Sequence, residues 1–392
     1  MLISIPVNAK RDLSYAFPLA RPARLYYNIP MSTRSDKPRV LTGDTPTGRL
    51  HLGHYVGSIE NRLAMQHTHD CFFIIANVHA LTSKERLENP AEVRDSVIQI
   101  TTDYLAAGID PAIATIFLQS EIPAIAELTF LFAMMVPYNR VMRNPTLKTE
   151  IELKDLGDTY SFGFPMYAVG QMADILAFRP DWVPVGEDQV AHIEMCREVA
   201  RRFDQLYCGV DPHAEDAAYA KAAVFPIPQA KVGRIARLSG ITTGPDDKRK
   251  MSKSLGNALF LSDSAKEVQK KCNKIWTGRQ SPAEPGRIEG NTLWEWHDAF
   301  NGDKAEVAQM KARYIKGDNI GDGEVKKRLA EVINTLLDPI RKRRAELEAD
   351  PRRVIDVLKA GTAKANAAAE ETLWLAKQAM KFDFFPRELR MK

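Results

Sequence analysis

The chain has 392 residues, 45% hydrophobic and 27% charged, long enough for two or three domains and too balanced in composition for a disordered or collagen-like protein. Lys and Arg number 54 against 50 Asp and Glu, a formal net charge of +4, which permits a polyanionic partner without requiring one. Charges or prolines interrupt every apolar stretch short of the ~18 residues that a membrane-spanning helix needs, and four cysteines with no C-x-x-C pair argue against a zinc ribbon or an iron–sulfur cluster and read as reduced cytosolic thiols.

The first thirty residues carry Lys10, Arg11, Arg21 and Arg24 against Asp12 alone, the bias of an organelle transit peptide. Met31, however, opens a short polar lead, MSTRSDKPRV, and nothing before it is periodic, so a start codon placed too early is the preferred reading. Residues 1–38 are expected to form a disordered N-terminal extension. Val40 to Thr42 then reads as a short strand ending at Gly43, and Tyr55 to Gln66 spaces Val56, Ile59, Leu63 and Met65 as a helix does. CFFIIANV, Cys71 to Val78, is a strand buried on both faces, and Asn89-Pro90 opens a helix that Gly108 stops. Ala114 to Gln119 is a third strand, Ala124 to Val136 and Met166 to Phe178 are helices, and Trp182 to Val185 is a fourth strand leading into another helix. This alternation predicts an α/β fold, a Rossmann-type parallel sheet covered by helices, over residues 39–261. From residue 262 to 392 the strand signal vanishes, and Ser264 to Ile275, Glu324 to Glu348, Pro351 to Leu358 and Ala363 to Met380 read as helices of a second, all-helical domain.

Two loops carry the chemistry. In TGDTPTGRLHLGHYVG, Thr42 to Gly57, a strand runs into a Gly-rich loop with His51 and His54 at the opening of a helix. Free N–H groups and the positive end of the helix dipole suit a phosphate, and imidazoles can donate to phosphoryl oxygens as charge develops. In KRKMSKSLGN, Lys250, Met251, Ser252, Lys253 and Ser254 follow the flexible stretch TTGPDD. Lysines on such a loop can close over a triphosphate and neutralise a departing pyrophosphate.

H-x-G-H early and K-M-S-K-S late, in that order in an α/β chain, resemble the paired signature of class I aminoacyl-tRNA synthetases. AVGQMADILAF and WVPVGEDQVAHIEMCREVARRF, from Ala168 to Phe203, closely resemble the corresponding stretch of the bacterial-type tryptophanyl-tRNA synthetases, VPVGEDQ being the most specific string. The resemblance is strong from about Arg39 to Asn257, including NVHALT, and extends to the helical part only in composition and length.

The resemblance implies a Rossmann-type catalytic domain, a helical domain at 262–392 that recognises the anticodon, and a homodimer working in the cytoplasm, with no membrane contact. It implies two-step ligation of L-tryptophan to tRNA(Trp) through tryptophanyl-adenylate, with ATP and Mg2+ as the substrate complex and no tightly bound cofactor or dedicated metal site. By position, Thr45, Pro46, Thr47, Gly53, His54, Gly186, Glu187, Asp188 and Leu238 would line the ATP site together with Lys250, Met251, Ser252, Lys253 and Ser254. His51 and His54 would stabilise the reacting phosphate, and Lys250 and Lys253 the leaving pyrophosphate. Leu41, His79, Tyr167, Gln171, Asp174, Val183, Val185 and Gln189 would surround tryptophan, Asp174 accepting the indole N–H.

A buried carboxylate facing an apolar slot suits an indole and penalises ligands that leave it unpaired. Thr45, Leu41 and Gln171 stand where the family commonly has Gln, Phe and Met, and Lys148 in NPTLKTE aligns only loosely with a further family lysine. A tyrosine-specific sister ligase and a non-charging regulatory paralogue are the alternatives. VPVGEDQ speaks against the first, and intact His51, His54, Lys250 and Lys253 against the second. Removal of the helical region is expected to abolish tRNA charging and to spare some adenylate formation.

Overall fold

The structure, a computed structural model, describes residues 34–153, 160–233, 238–244, 249–253 and 255–385, and of residues 153, 188, 221 and 222 the backbone alone. Most of the N-terminal extension therefore lies outside the described residues; where it re-enters, Arg34 pairs with Asp181 at 2.8 Å.

Five parallel strands form the sheet: β1 (Arg39–Asp44), β2 (Asp70–Ile75), β3 (Ala114–Leu118), β4 (Trp182–Val185) and β5 (Gln229–Val232), in the order β3-β2-β1-β4-β5. Strands 1 to 3 are largely buried, which is why β2 and β3 read as continuous apolar runs. The order reverses between β1 and β4, and a crevice opens at the carboxyl ends of strands at such a switch point. There the ladder is short, Val40 pairing with Trp182, and Thr42 Oγ1 adds a bond to the Pro184 carbonyl at 2.7 Å.

Helices cover both faces. The first, α1, starts at Leu52, passes through a π-helical turn at Tyr55–Ile59 and ends at Met65. It is followed by α2 (Pro90–Ala107), α3 (Pro123–Ala133), α4 (Gly163–Leu176) and α5 (Val190–Tyr207). After the sheet come α6 (Ala265–Asn273), α7 (Thr292–Phe300), α8 (Lys304–Lys316), α9 (Asp322–Ala349) and α10 (Pro351–Ala379).

Four of these elements differ from the sequence reading. Strand β5 was not expected: QAKV has no apolar run, and its last two residues are exposed. Helices α7 and α8 lie in a stretch rich in Gly, Asp and Asn that reads as loop, yet Asn291 and Asp303 cap them through the N–H groups of Leu293 and Glu306. Pro351 to Met380, expected as two helices parted near Gly361, holds one continuous helix. Gly361 is there for contact, since a Cβ at that position would sit 1.9 Å from the Ile116 carbonyl oxygen of β3. The next residue, Thr362, accepts the Leu118 N–H at 3.2 Å, so α10 covers the free edge of β3, which would otherwise invite pairing with another chain.

Packing does not pause at residue 262. Leu293, Trp294, Trp296, Leu329 and Ile333 of α7 and α9 share one buried cluster with Val40, Phe73, Ile116 and Met251 of the sheet and its loops. Cutting the chain after Asn257 would strip that cluster bare, so the packing argues against the expectation that some adenylate formation survives loss of the helical region.

In an exposed helix, Gly→Ala stabilises by about 1 kcal/mol. Here the clash reverses the sign, and Gly361→Ala is expected to destabilise by about 1–3 kcal/mol, as overpacking does. Urea denaturation measures it; a gain in midpoint would show that α10 can move off β3 freely.

Candidate functional site

The carboxyl ends of β1 and β4, α4 and both signature loops enclose a cavity of about 790 Å3. His51 and His54 stack with ring centroids 3.7 Å apart, and the His51 backbone N–H donates to His54 Nδ1 at 3.1 Å. Burial lowers both imidazoles, His51 to about 2 and His54 to about 4, helped in each case by the charge of Lys253. They are neutral donors at physiological pH, and His51 Nδ1 is buried without a hydrogen-bond partner among the described residues.

The second loop reaches the first. Lys253 Nζ donates to Thr47 Oγ1 at 3.1 Å and to the Gly48 carbonyl at 2.8 Å. Burial lowers its pKa to about 8 against the attraction of Asp44 and Asp103, which leaves most of it charged at neutral pH. Asn257 ties the loop to itself: its side chain accepts from the Ser252 N–H at 2.8 Å and donates to the Lys250 carbonyl at 3.2 Å.

Beneath the loops lie two acids that the sequence reading missed. Asp44, at the end of β1, accepts from Arg62 at 2.9 Å and from Tyr104 at 2.5 Å. Burial opposes its charge, but Arg62, His54 and Tyr104 prevail and hold its pKa at about 2. Asp103, fully buried on α2, accepts the Leu50 N–H at 2.8 Å and pairs with Arg344 of α9. Burial raises it to about 6 even so.

At the other end of the cavity Asp174 is buried on α4. Gln119, also missed, donates to both of its oxygens at 2.8 and 2.9 Å, and His79 Nδ1 approaches at 3.4 Å. Gln119 also lies 3.2 Å from His79 Nε2, which assigns the ring proton to Nδ1, and burial keeps that imidazole neutral with a pKa of about 4. Burial raises Asp174 to about 7 despite the bonds from Gln119. A carboxylate has about four acceptor sites, so a further donor can still be accommodated. Gly170 makes the arrangement possible, since a Cβ there would lie 2.9 Å from His79 Nε2.

Most of the residues singled out in the sequence meet at this cavity. Leu41, His79, Tyr167, Gln171, Asp174, Val183, Val185 and Gln189 line one part, and Thr45, Thr47, His51, Gly53, His54, Gly186, Leu238, Lys250, Met251, Ser252 and Lys253 the other. Pro46 and Glu187 are not among the lining residues. The side chain of Asp188, and all of Ser254, lie outside what the structure describes. Besides Asp44, the sequence reading missed Thr82, Ser83, Arg86 and Glu150 on the wall, the last accepting from Tyr167 OH at 3.1 Å. Ser83 caps the short helix that carries Arg86, accepting the Arg86 N–H at 3.4 Å. Among the described residues no group of three or more His, Cys, Asp or Glu is placed to hold a metal ion.

Comparison with known proteins finds matches over most of the chain. The family of class I tRNA synthetases for W and Y matches residues 33–338. The tryptophan–tRNA ligase of Treponema pallidum is 46% identical over 344 residues, covering 87% of this chain and 96% of that protein. That of Chlamydia caviae is 43% identical over 342 residues, covering 86% and 94%. Among solved structures, the tryptophanyl-tRNA synthetase of Campylobacter jejuni, complexed with ADP and tryptophan, superposes with a TM-score of 0.73 at 28% identity, over 88% of this chain and 99% of that one.

The Asp44 network carries a stability prediction. Asp44→Ala leaves Arg62 buried without its carboxylate, and a cost of about 3–5 kcal/mol is expected. Because the folded pKa of about 2 lies below the ordinary 3.8, the contribution of Asp44 is complete above pH ~4 and is lost as pH falls towards 2. The gap between the denaturation curves of wild type and variant should therefore narrow in acid by about 2 kcal/mol; a constant gap down to pH 2 would refute the assignment.

Proposed function

The chain belongs to the class I tRNA synthetases for tryptophan and tyrosine and charges tRNA with tryptophan; from that premise we propose that it works in two steps within the cavity described above. Tryptophan carboxylate attacks the α-phosphate of Mg·ATP in line, giving tryptophanyl-adenylate and pyrophosphate. The terminal adenosine hydroxyl of tRNA(Trp) then takes the acyl group and AMP departs.

The observation that carries this reading is the meeting of the two loops, with Lys253 bonded to Thr47 and Gly48 beside the paired imidazoles. Such a site needs no covalent chemistry from the protein. Its work is to position the reactants and to stabilise charge. Neutral His51 and His54 donate N–H groups to phosphoryl oxygens without adding to the repulsion between the lysines. Lys250 and Lys253 neutralise the leaving pyrophosphate, and magnesium enters with ATP as part of the substrate.

Tryptophan lies between Leu41, Val183 and Val185, with the indole N–H on Asp174. The tyrosine-specific and non-charging alternatives are not favoured by the tryptophan-specific relatives. The protein acts as a cytoplasmic homodimer in this proposal, a second copy covering the exposed apolar side chains Phe130, Met134 and Tyr138. The helical region after residue 262 meets the tRNA anticodon.

Asp174→Ala tests the pocket. Loss of a hydrogen bond to a charged group costs about 1.5–3 kcal/mol, so kcat/KM for tryptophan should fall roughly 10- to 200-fold and the preference over phenylalanine should narrow. Since burial holds the Asp174 pKa at about 7, KM for tryptophan in the wild type should rise as pH drops below 7, and the variant should lose that dependence. Retained efficiency and selectivity would make Asp174 a structural charge. In the same assay, Lys253→Ala should lower kcat by about 10² to 10³ with a smaller change in KM for tryptophan; an unchanged rate would remove the loop from the mechanism.

A further inference from the structure

The segment carrying Lys250 and Lys253 does not stand on its own. Residues Leu238 to Gly240 form a short antiparallel ribbon with it: Ser239 bridges to Lys250, Gly240 N–H donates to the Arg249 carbonyl at 3.0 Å, and Met251 N–H donates to the Leu238 carbonyl at 2.9 Å. Ser239 is gripped from its far side by α7. Its N–H donates to Glu295 Oε1 at 2.7 Å, and its carbonyl accepts the indole N–H of Trp296 at 2.9 Å. Both backbone polar groups of one residue are thus satisfied by neighbouring side chains of a helix in the C-terminal region. That helix is fixed in turn, Trp296 being fully buried and His297 Nε2 lying 3.1 Å from the Val325 carbonyl of α9.

We propose that Glu295 is a positioning residue for adenylate formation: by holding Ser239 it sets the place of the lysine loop against the phosphates, so the helical region takes part in the first step, before any tRNA is bound. This deepens the two-step reading and rests on it. A cation that must meet charge as it develops on pyrophosphate acts only if it is already in place, and a displacement of about 1 Å can cost on the order of 10²-fold in rate. Glu295 can set that place because its acceptor bond runs to backbone, one cross-strand pair from Lys250, and because its own helix is anchored in the core.

The test is tryptophan-dependent exchange of labelled pyrophosphate into ATP, without tRNA, by full-length Glu295→Ala and Glu295→Gln. The amide of glutamine keeps an oxygen that can accept from Ser239. Glu295→Ala should lower kcat about 10- to 100-fold with KM for tryptophan within about twofold of wild type, and Glu295→Gln should recover most of that loss. If Glu295→Ala yields too little folded protein, Trp296→Phe, which deletes only the donor to the Ser239 carbonyl and part of a ring, should show the same kcat-selective loss in milder form. An alanine variant as fast as wild type would overturn the proposal, as would equal losses in kcat and tryptophan affinity that glutamine does not repair. If the wild type itself shows no tryptophan-dependent exchange, it is the two-step reading that fails.

Discussion

Four groups that are cationic or can become so, His51, His54, Lys250 and Lys253, are gathered at one end of β1, and the positive charge each carries or can acquire opposes the gathering. The rest of the site can be understood as the means of holding them there. Burial keeps both imidazoles neutral, so two of the four donate without repelling. The nearby acids are occupied elsewhere: Asp44 is committed to Arg62 and Tyr104, and Asp103 to the Leu50 N–H and Arg344. They support the loops from below and moderate the field, yet leave the donors facing the cavity. In the proposed reaction a nucleoside triphosphate completes that electrostatic arrangement, and the same charges ease the departure of its pyrophosphate portion.

Holding two loops about two hundred residues apart requires a frame that spans them. The first hangs on Asp103 of α2, which Arg344 of α9 secures; the second hangs on Ser239, which Glu295 of α7 secures. Both ties therefore lead into the helices that follow the sheet. The sheet contributes the switch point between β1 and β4, and α4 closes the other end with Asp174. The two parts of the cavity share β1 and β4, Leu41, Val183 and Val185 lining one and Thr45 and Gly186 the other.

The sequence disclosed what is local. Apolar runs marked β1 to β4, and the glycines, imidazoles and lysines of the two loops pointed to a phosphate site; the fold brings those loops together. What it hid is long-range. Gln119 ends a strand and looks like a surface amide, but it orders Asp174 and His79. Gly361 looks like a helix break, but it is a helical residue pressed on β3. Glu295 and Arg344 look like solvated helix charges, and only folding brings them to a backbone N–H and a buried acid. Strand β5 was illegible because its pairing with β4, rather than its own composition, makes it a strand.

The most direct measurement of the central claim is amino-acid-dependent exchange of labelled pyrophosphate into ATP by the purified full-length protein, run without tRNA and with tryptophan and tyrosine in parallel. The proposed site predicts rapid exchange with tryptophan and exchange with tyrosine at least about 10²-fold slower, because the buried Asp174 suits an indole and leaves a phenol misplaced. Exchange that tyrosine supports as well as tryptophan, or no exchange with either, would contradict it.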